Sequence, residues 1–163
     1  DYKGPVYFRC GYKGEPDIHA GPVDFRIGKA ITVRSGNDAT ILFAGTVGIN
    51  AKRAAEQLEK DGIRCRLVSM PSVKPIDRDA ILSAARETGA VVTVEEHNLC
   101  GGFGGAVAEV LMDCNCGRVP FKRLALPDVN VSLIGSQNWL REQYGLGTGH
   151  IVASVKQTLG TGA

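Results

Sequence analysis

VVTVEEHNLCGGFGGAV, residues Val91–Val107, is the stretch whose reading decides the fold. It runs from an apolar, β-branched segment through Glu95-Glu96-His97 into a glycine cluster, after which Phe103, Val107, Val110 and Leu111 recur at helical spacing. A strand, a glycine corner and an amphipathic helix in that order make a β-α unit. Glycines at such a junction permit close backbone approach and leave helix N–H groups pointing outward. The corner therefore reads either as an anion site or as a tight turn that seats the helix.

The same alternation extends to both sides. Upstream, Lys29–Arg34 predicts a short strand, Ser35–Asp38 a turn and Ala39–Ala44 a continuous apolar strand. Gly45 and Thr46 are expected to end that strand and cap a helix from Val47 to Asp61, with Val47, Ala51, Ala54, Ala55 and Leu58 on one face and Gly62 as its stop. Ile63–Ser69 reads as a strand and Pro71–Pro75 as a loop. Asp77 is a good N-cap for a helix burying Ile81, Ala84 and Ala85, with Gly89 stopping it before the strand Ala90–Glu95. Downstream come a last strand, Phe121–Leu126, and two short helices near Gln137–Tyr144 and His150–Leu159, the first capped by Ser136. Strands and helices alternating through short loops predict an α/β domain with a mostly parallel sheet covered on both faces. The turn Ser35–Asp38 is far shorter than the roughly ten residues a parallel crossover needs. The first strand should therefore run antiparallel to its neighbours if the two share a sheet edge.

Ahead of this series, Val6–Phe8 is a short β-prone run, and Cys10–Val23 is rich in glycine and proline with no apolar period, a linker by composition. The chain opens on Asp1 and meets the β-prone run almost at once, which reads as a piece of something longer.

Composition narrows the function classes. The 163 residues, 44% of them hydrophobic, suit one domain of ordinary size. A net charge of +2 with 22% charged residues, and no basic arm, argues against a nucleic-acid partner. No apolar run approaches the roughly 18 residues of a membrane span, and no signal peptide opens the chain. Five cysteines, an odd number, fit a reduced, cytoplasmic setting. Cys114-Asn115-Cys116 lacks a second pair at zinc-ligand spacing, so free thiols near a helix end are expected rather than metal or redox work.

The glycine cluster fails as a dinucleotide fingerprint. The third glycine of GxGxxG would fall where Val107 stands, the cluster follows a late strand of the parallel series, and the acid near the required distance, Asp128, follows a proline rather than ending a strand. No GxxxxGK[ST] occurs. Glu95-Glu96-His97 lies at the carboxyl end of a central strand, the edge where open α/β sheets bind ligands. Such a trio is either an acid/base group or a set of hydrogen-bonding groups at a corner and interface. With no nucleophile or metal ligand nearby in sequence, the corner reading is favoured. His19, in the linker, and His150, at a helix start, read as surface or capping groups, and no GxSxG or HExxH pattern is present. By chemistry alone the chain holds no complete catalytic apparatus.

The ordered set of motifs resembles the transketolase family. GPVYFR, FRIGKA, TILFAG with its helix, VSMPSVKPIDRDAI, VVTVEEHNLCGGFGGAV and QYGL match the C-terminal portion of that family over essentially the whole chain. KPID and TVEEHN-x-x-GG-x-G-x-AV are the most specific pieces. His97 after the acidic pair resembles transketolase proper and the C-terminal subunits of split transketolases, rather than 2-oxo-acid dehydrogenase beta subunits or deoxyxylulose-phosphate synthases, which share the domain and remain alternatives.

This resemblance implies a three-layer α/β/α sandwich whose five-stranded mixed sheet has its first strand antiparallel. It implies that residues 1–24 are the end of a pyrimidine-binding domain and its linker, and residues 25–163 the C-terminal domain. For the whole enzyme it implies two-carbon ketol transfer between sugar phosphates with thiamine diphosphate and magnesium, both held by segments this chain does not contain. The chain is then expected to serve assembly as a homodimer, with the remaining domains or an N-terminal subunit, and to be inactive alone. One functional position carries over: the Arg closing GPV-x-x-R, Arg9 here, binds the substrate phosphate in the family, a role that suits the planar guanidinium fork. Glu95, Glu96, His97, Gly101, Gly102 and Gly104 are expected at a corner or interface. A competing reading of another class is a regulatory module holding an anion or nucleotide on the helix that opens at Phe103.

Overall fold

Successive side chains along a strand point to opposite faces, and here they serve two separate cores. In the computed structural model, which describes residues 2–11, 14–114 and 117–161, the strands are β1 (Ile31–Arg34), β2 (Ala39–Ala44), β3 (Cys65–Ser69), β4 (Val91–Asn98) and β5 (Phe121–Leu126). Ile41 and Phe43 of β2, Leu67 of β3 and Val92 and Val94 of β4 pack into one core, while Leu42, Val68 and Val91 pack into the other. Helices α1 (Gly48–Lys60) and α5 (Thr148–Leu159) cover the first core through Ala51, Ala54, Leu58, Ile151 and Val155. Helices α2 (Arg78–Glu87) and α3 (Phe103–Asp113) cover the second through Ile81, Ala84, Phe103, Val107 and Val110. This is the α/β/α sandwich expected. The short α4 (Gln137–Gln143) lies outside these two layers, near the carboxyl ends of the strands.

The sheet order is β1-β3-β2-β4-β5, with β1 antiparallel to β3 and every other pairing parallel. The antiparallel first strand is as expected, but its partner is β3, not the next strand in sequence. The turn after β1 therefore passes over the start of β3. Asn37 and Asp38 amides both donate to the Arg64 carbonyl at 3.1 Å, and the Asp38 carboxylate accepts from the Arg64 amide at 2.6 Å. Gly36 sits so close to this crossing that a Cβ there would collide with the backbone of Arg64, Cys65 and Arg66.

Several local expectations hold. Asp77 caps α2, accepting from the Ala80 amide at 3.2 Å, and its other oxygen accepts from the Ala30 amide at 2.9 Å. The KPID motif thereby ties the entrance of the domain to α2, with Gly28 packed on Pro75 across the cis Lys74–Pro75 peptide. Ser136 caps α4 through the Trp139 amide at 3.3 Å, and Gly62, at φ 80°, follows α1.

Others are corrected. Val6–Phe8 forms no strand among the described residues; Tyr7 and Phe8 are 90% and 80% exposed, because a β-prone run needs a neighbouring strand to pair with. Thr46 does not cap α1, whose N-cap is Val47 without a side-chain bond, since its hydroxyl is engaged elsewhere. Strand β4 runs on to Asn98, and α5 begins at Thr148. His150 consequently lies in the first turn of that helix, exposed as a surface group should be, and faces Glu142 at 3.5 Å. Cys114 is disulfide-bonded, which corrects the expected free thiol there: sequence context weighs compartment, not the separation of two sulfurs. Cys116 lies outside the described residues, as do Tyr12 and Lys13.

Burial, with the Asp38 carboxylate adding to it and Arg34 opposing, pushes the Cys65 thiol up to about 12. Cys10 and Cys100 are exposed. In the native chain, a thiol-directed alkylating reagent at mildly alkaline pH should modify Cys10 and Cys100 and spare Cys65 until denaturant is added. Peptide mass mapping of the alkylated protein checks this.

Candidate functional site

The carboxyl end of β4 carries two adjacent acids that leave the strand on opposite sides. Glu95, 3% exposed, turns toward α3. Its two oxygens accept from the amides of Phe103 at 2.6 Å and Gly104 at 2.7 Å. A carboxylate at a helix N-terminus satisfies orphan donors and meets the positive end of the helix dipole. The glycines make room for it. A Cβ at residue 102 would lie 2.6 Å and 2.7 Å from the Glu95 oxygens, and one at residue 104 would lie 2.6 Å from the Thr93 hydroxyl. That hydroxyl is buried beneath the helix with no hydrogen-bond partner among the described residues. Gly101, at φ 72°, supplies the left-handed step that turns the chain into α3. The amides a bound phosphate would use at this helix start are thus held by a residue of the chain itself.

Glu96 turns toward α4. One oxygen accepts from Arg141 Nε at 2.8 Å and Gln137 Nε2 at 3.0 Å, and the other from the Thr46 hydroxyl at 2.6 Å. Arg141, 4% exposed, also donates to Thr46 Oγ1 at 3.0 Å and Asn138 Oδ1 at 3.2 Å. Burial alone would push the Glu96 carboxyl up; hydrogen bonds from Arg141 and Thr46, with the Arg141 charge, outweigh it and hold the carboxyl below its ordinary value. Thr46 follows β2 and Glu96 ends β4, so the network spans the crevice between the two strands. There β2 leads to β3 on one side and β4 to β5 on the other, the switch point at which doubly wound sheets bind ligands. In this chain α4 fills it.

His97 is exposed and makes no hydrogen bond or ion pair among the described residues. Asn98 donates to the Asp128 carboxylate at 3.0 Å and accepts from the Cys100 amide at 2.9 Å, closing the turn that follows β4. The trio named from sequence is therefore three separate positions: one under α3, one against α4 and one in solvent. Arg9 is exposed and lines a depression of about 250 Å³ with Glu96, Leu126, Val131, Gln137, Leu140, Arg141, Tyr144 and Leu146. Sequence reasoning missed Thr46, Gln137 and Arg141. The sequence reads Thr46 only as a helix cap, and nothing in it marks Arg141 as buried, since burial is not written in a short polar helix.

Glu95→Ala should orphan two buried donors at roughly 1–3 kcal/mol each, and Glu95→Gln, which keeps one acceptor, should cost less. Urea unfolding of both variants measures the difference. Because the Glu96 carboxyl is held low in the folded chain, its contribution is complete above the ordinary carboxylate range and is lost as pH falls through the lowered value. Glu96→Gln, which leaves Arg141 buried without a counter-charge, should cost roughly 3–5 kcal/mol at neutral pH, and the gap to wild type should narrow on acidification. Melting curves across pH, followed through Trp139 on α4, check it.

The model of the transketolase C-terminal domain matches residues 28–151 of this chain. An apulose-4-phosphate transketolase subunit of Phocaeicola vulgatus is 40% identical over 90% of this chain and 46% of its own length. The 6-deoxy-6-sulfo-D-fructose transketolase subunit SqwH of a Clostridium species is 37% identical over 96% of this chain and 48% of its own. A 1-deoxy-D-xylulose-5-phosphate synthase of Heliobacterium modesticaldum is 39% identical over 98% of this chain but only 24% of its own. Among solved structures, one described as a split-gene transketolase, an inactive beta4 tetramer, superposes with a TM-score of 0.86 at 40% identity, covering 99% of this chain and 51% of that one. The chain thus spans about half the length of the transketolase subunits it matches. On the sandwich, its antiparallel first strand and these similarities together, the chain belongs to the transketolase family, whose C-terminal domain it carries.

Proposed function

We propose that this chain works as the C-terminal part of a thiamine diphosphate-dependent transketolase of the split type, transferring a two-carbon ketol unit between sugar phosphates. Residues 1–24 then end the pyrimidine-binding domain and lead into the C-terminal domain, and an N-terminal subunit completes the enzyme. The exposed, unpaired Val6–Phe8 run supports this division, since an apolar extended segment bordering a folded domain suits a strand added to another sheet.

The chain's own carboxylates do not suit a metal diphosphate site. Glu95 is committed to helix amides and Glu96 to Arg141, and no group of three His, Cys, Asp or Glu side chains among the described residues is arranged to hold a metal ion. On this reading thiamine diphosphate and magnesium belong to the remaining subunit, and this chain serves assembly in a homodimer of the complete enzyme. The cytoplasm is the expected setting; no helix among the described residues is long and apolar enough to cross a membrane.

Arg9 carries the functional reading. It closes the GPV-x-x-R run and stands exposed, without an ion-pair partner among the described residues, at the rim of the depression over the carboxyl edge. A free guanidinium there can meet two phosphate oxygens at once. Arg9→Ala in the assembled enzyme should raise KM for a phosphorylated ketose on the order of 10–100-fold, the equivalent of about 1.5–3 kcal/mol for hydrogen bonds to a charged group. Steady-state kinetics with phosphorylated and unphosphorylated donors measure this; an unchanged KM for the phosphorylated donor would remove Arg9 from the substrate site. A second reading, as part of a deoxyxylulose-phosphate synthase, draws on the synthase similarity along nearly the whole chain. Formation of 1-deoxy-D-xylulose 5-phosphate in place of ketol exchange would favour it.

A further inference from the structure

Gly101, Gly102 and Gly104 of the β4–α3 corner are accounted for within the chain: the first by its φ of 72°, the second by the Glu95 oxygens and the third by the Thr93 hydroxyl. Gly105 is not. It lies in α3, and a Cβ there would meet only Arg123 Nη1, at 3.9 Å. A glycine weakens a helix relative to alanine, so this one costs α3 stability with no return inside the chain. What it permits is close approach from outside.

Outside lies a groove of about 580 Å³ along the exposed face of α3, whose lining includes Gly101, Gly102, Gly105, Ala108, Glu109 and Arg123. Met112, 81% exposed, ends the same helix face. Asp113 of α3 pairs with Arg78 of α2 at 3.7 Å, whereas Glu109 has no ion pair among the described residues. Arg123 donates to the Leu99 carbonyl at 3.1 Å and meets no carboxylate among them. The groove thus has small residues at its centre and one unpaired charge of each sign.

We propose that this face docks a second copy of the chain, α3 against α3 and antiparallel, about a two-fold axis at the level of Ala106 and Val107. The inference deepens the assembly role proposed above and rests on that reading only for its place in the complete enzyme. A two-fold contact must be self-complementary, and each feature of the face meets its match about that one axis. Gly105 faces the partner's Ala108, so the helices can come close. Met112 faces the partner's Gly101 and enters the open corner there. Glu109 faces the partner's Gly104, and Arg123 runs along that glycine: a Cβ at residue 104 would lie 3.1 Å from Arg123 Cγ. Opposite charges therefore meet twice across the axis.

Sedimentation of the chain over a dilution series tests this. Wild type should form pairs that part on dilution. Gly105→Leu should raise the dissociation constant about tenfold or more, as loss of a central interface contact does. The dilute Gly105→Leu chain should nevertheless melt no lower than wild type, because leucine favours helix and the single chain leaves room at that Cβ. Glu109→Lys and Arg123→Glu should each weaken pairing several-fold, and the two together should recover it. Should Arg123→Glu not fold, Gly105→Leu and Glu109→Lys decide. If wild type builds a larger assembly, Gly105→Leu should halve its mass. A wild-type monomer at every attainable concentration would overturn the proposal, including one whose α3 is covered only when an N-terminal subunit is added. A dimer that Gly105→Leu leaves as tight as wild type would also overturn it, while the homodimer reading would stand on another face. Ketol transfer in the assembled enzyme is a separate readout, and its absence would remove the proposed function without touching the pairing.

Discussion

Two consecutive carboxylates on β4 face opposite ways, and each holds a helix. Strand geometry makes this unavoidable: neighbouring side chains alternate across the sheet. Glu95 reaches the first amides of α3 on one side, and Glu96 reaches Arg141 of α4 on the other. Gly102 and Gly104 follow from the first contact, because a Cβ at either position would occupy the space of the Glu95 oxygens or the Thr93 hydroxyl. Thr46 and Gln137 follow from the second, since a buried guanidinium and carboxylate need further partners to offset their desolvation.

This double attachment determines what the carboxyl edge of the sheet can do. In an open α/β sheet that edge is the usual ligand site. Here its two sources of binding energy, the helix amides and the switch-point crevice, are occupied by side chains of the same molecule. What remains outside is Arg9, on an exposed arm whose Ile18 packs against the core. The domain is that of the transketolase family, and the chain spans about half the length of the subunits it resembles.

The layers were legible because strand and helix periods are local signals. Asp77, Ser136 and Gly62 were legible for the same reason: caps and stops act within one turn of helix. The partner of β1 was not, because loop length restricts direction but does not name the neighbour, and β3 lies between β1 and β2. Glu95 could be placed at a strand end, but its role as cap to α3 lies outside the usual N-cap window, with the loop between them. The Glu96 network joins residues from β4, α4 and the turn after β2, and nothing local marks such a meeting. Val6–Phe8 shows the reverse case, a local β signal with no partner within the described chain.

Amide hydrogen exchange at Phe103 and Gly104 tests the account most directly. First-turn amides of a helix ordinarily exchange freely unless something accepts from them. If Glu95 holds them, both should exchange slowly in the chain on its own, at a rate that added nucleotide or sugar phosphate does not change. Fast exchange that slows when such an anion is added would contradict the account, since the corner would then be an open anion site.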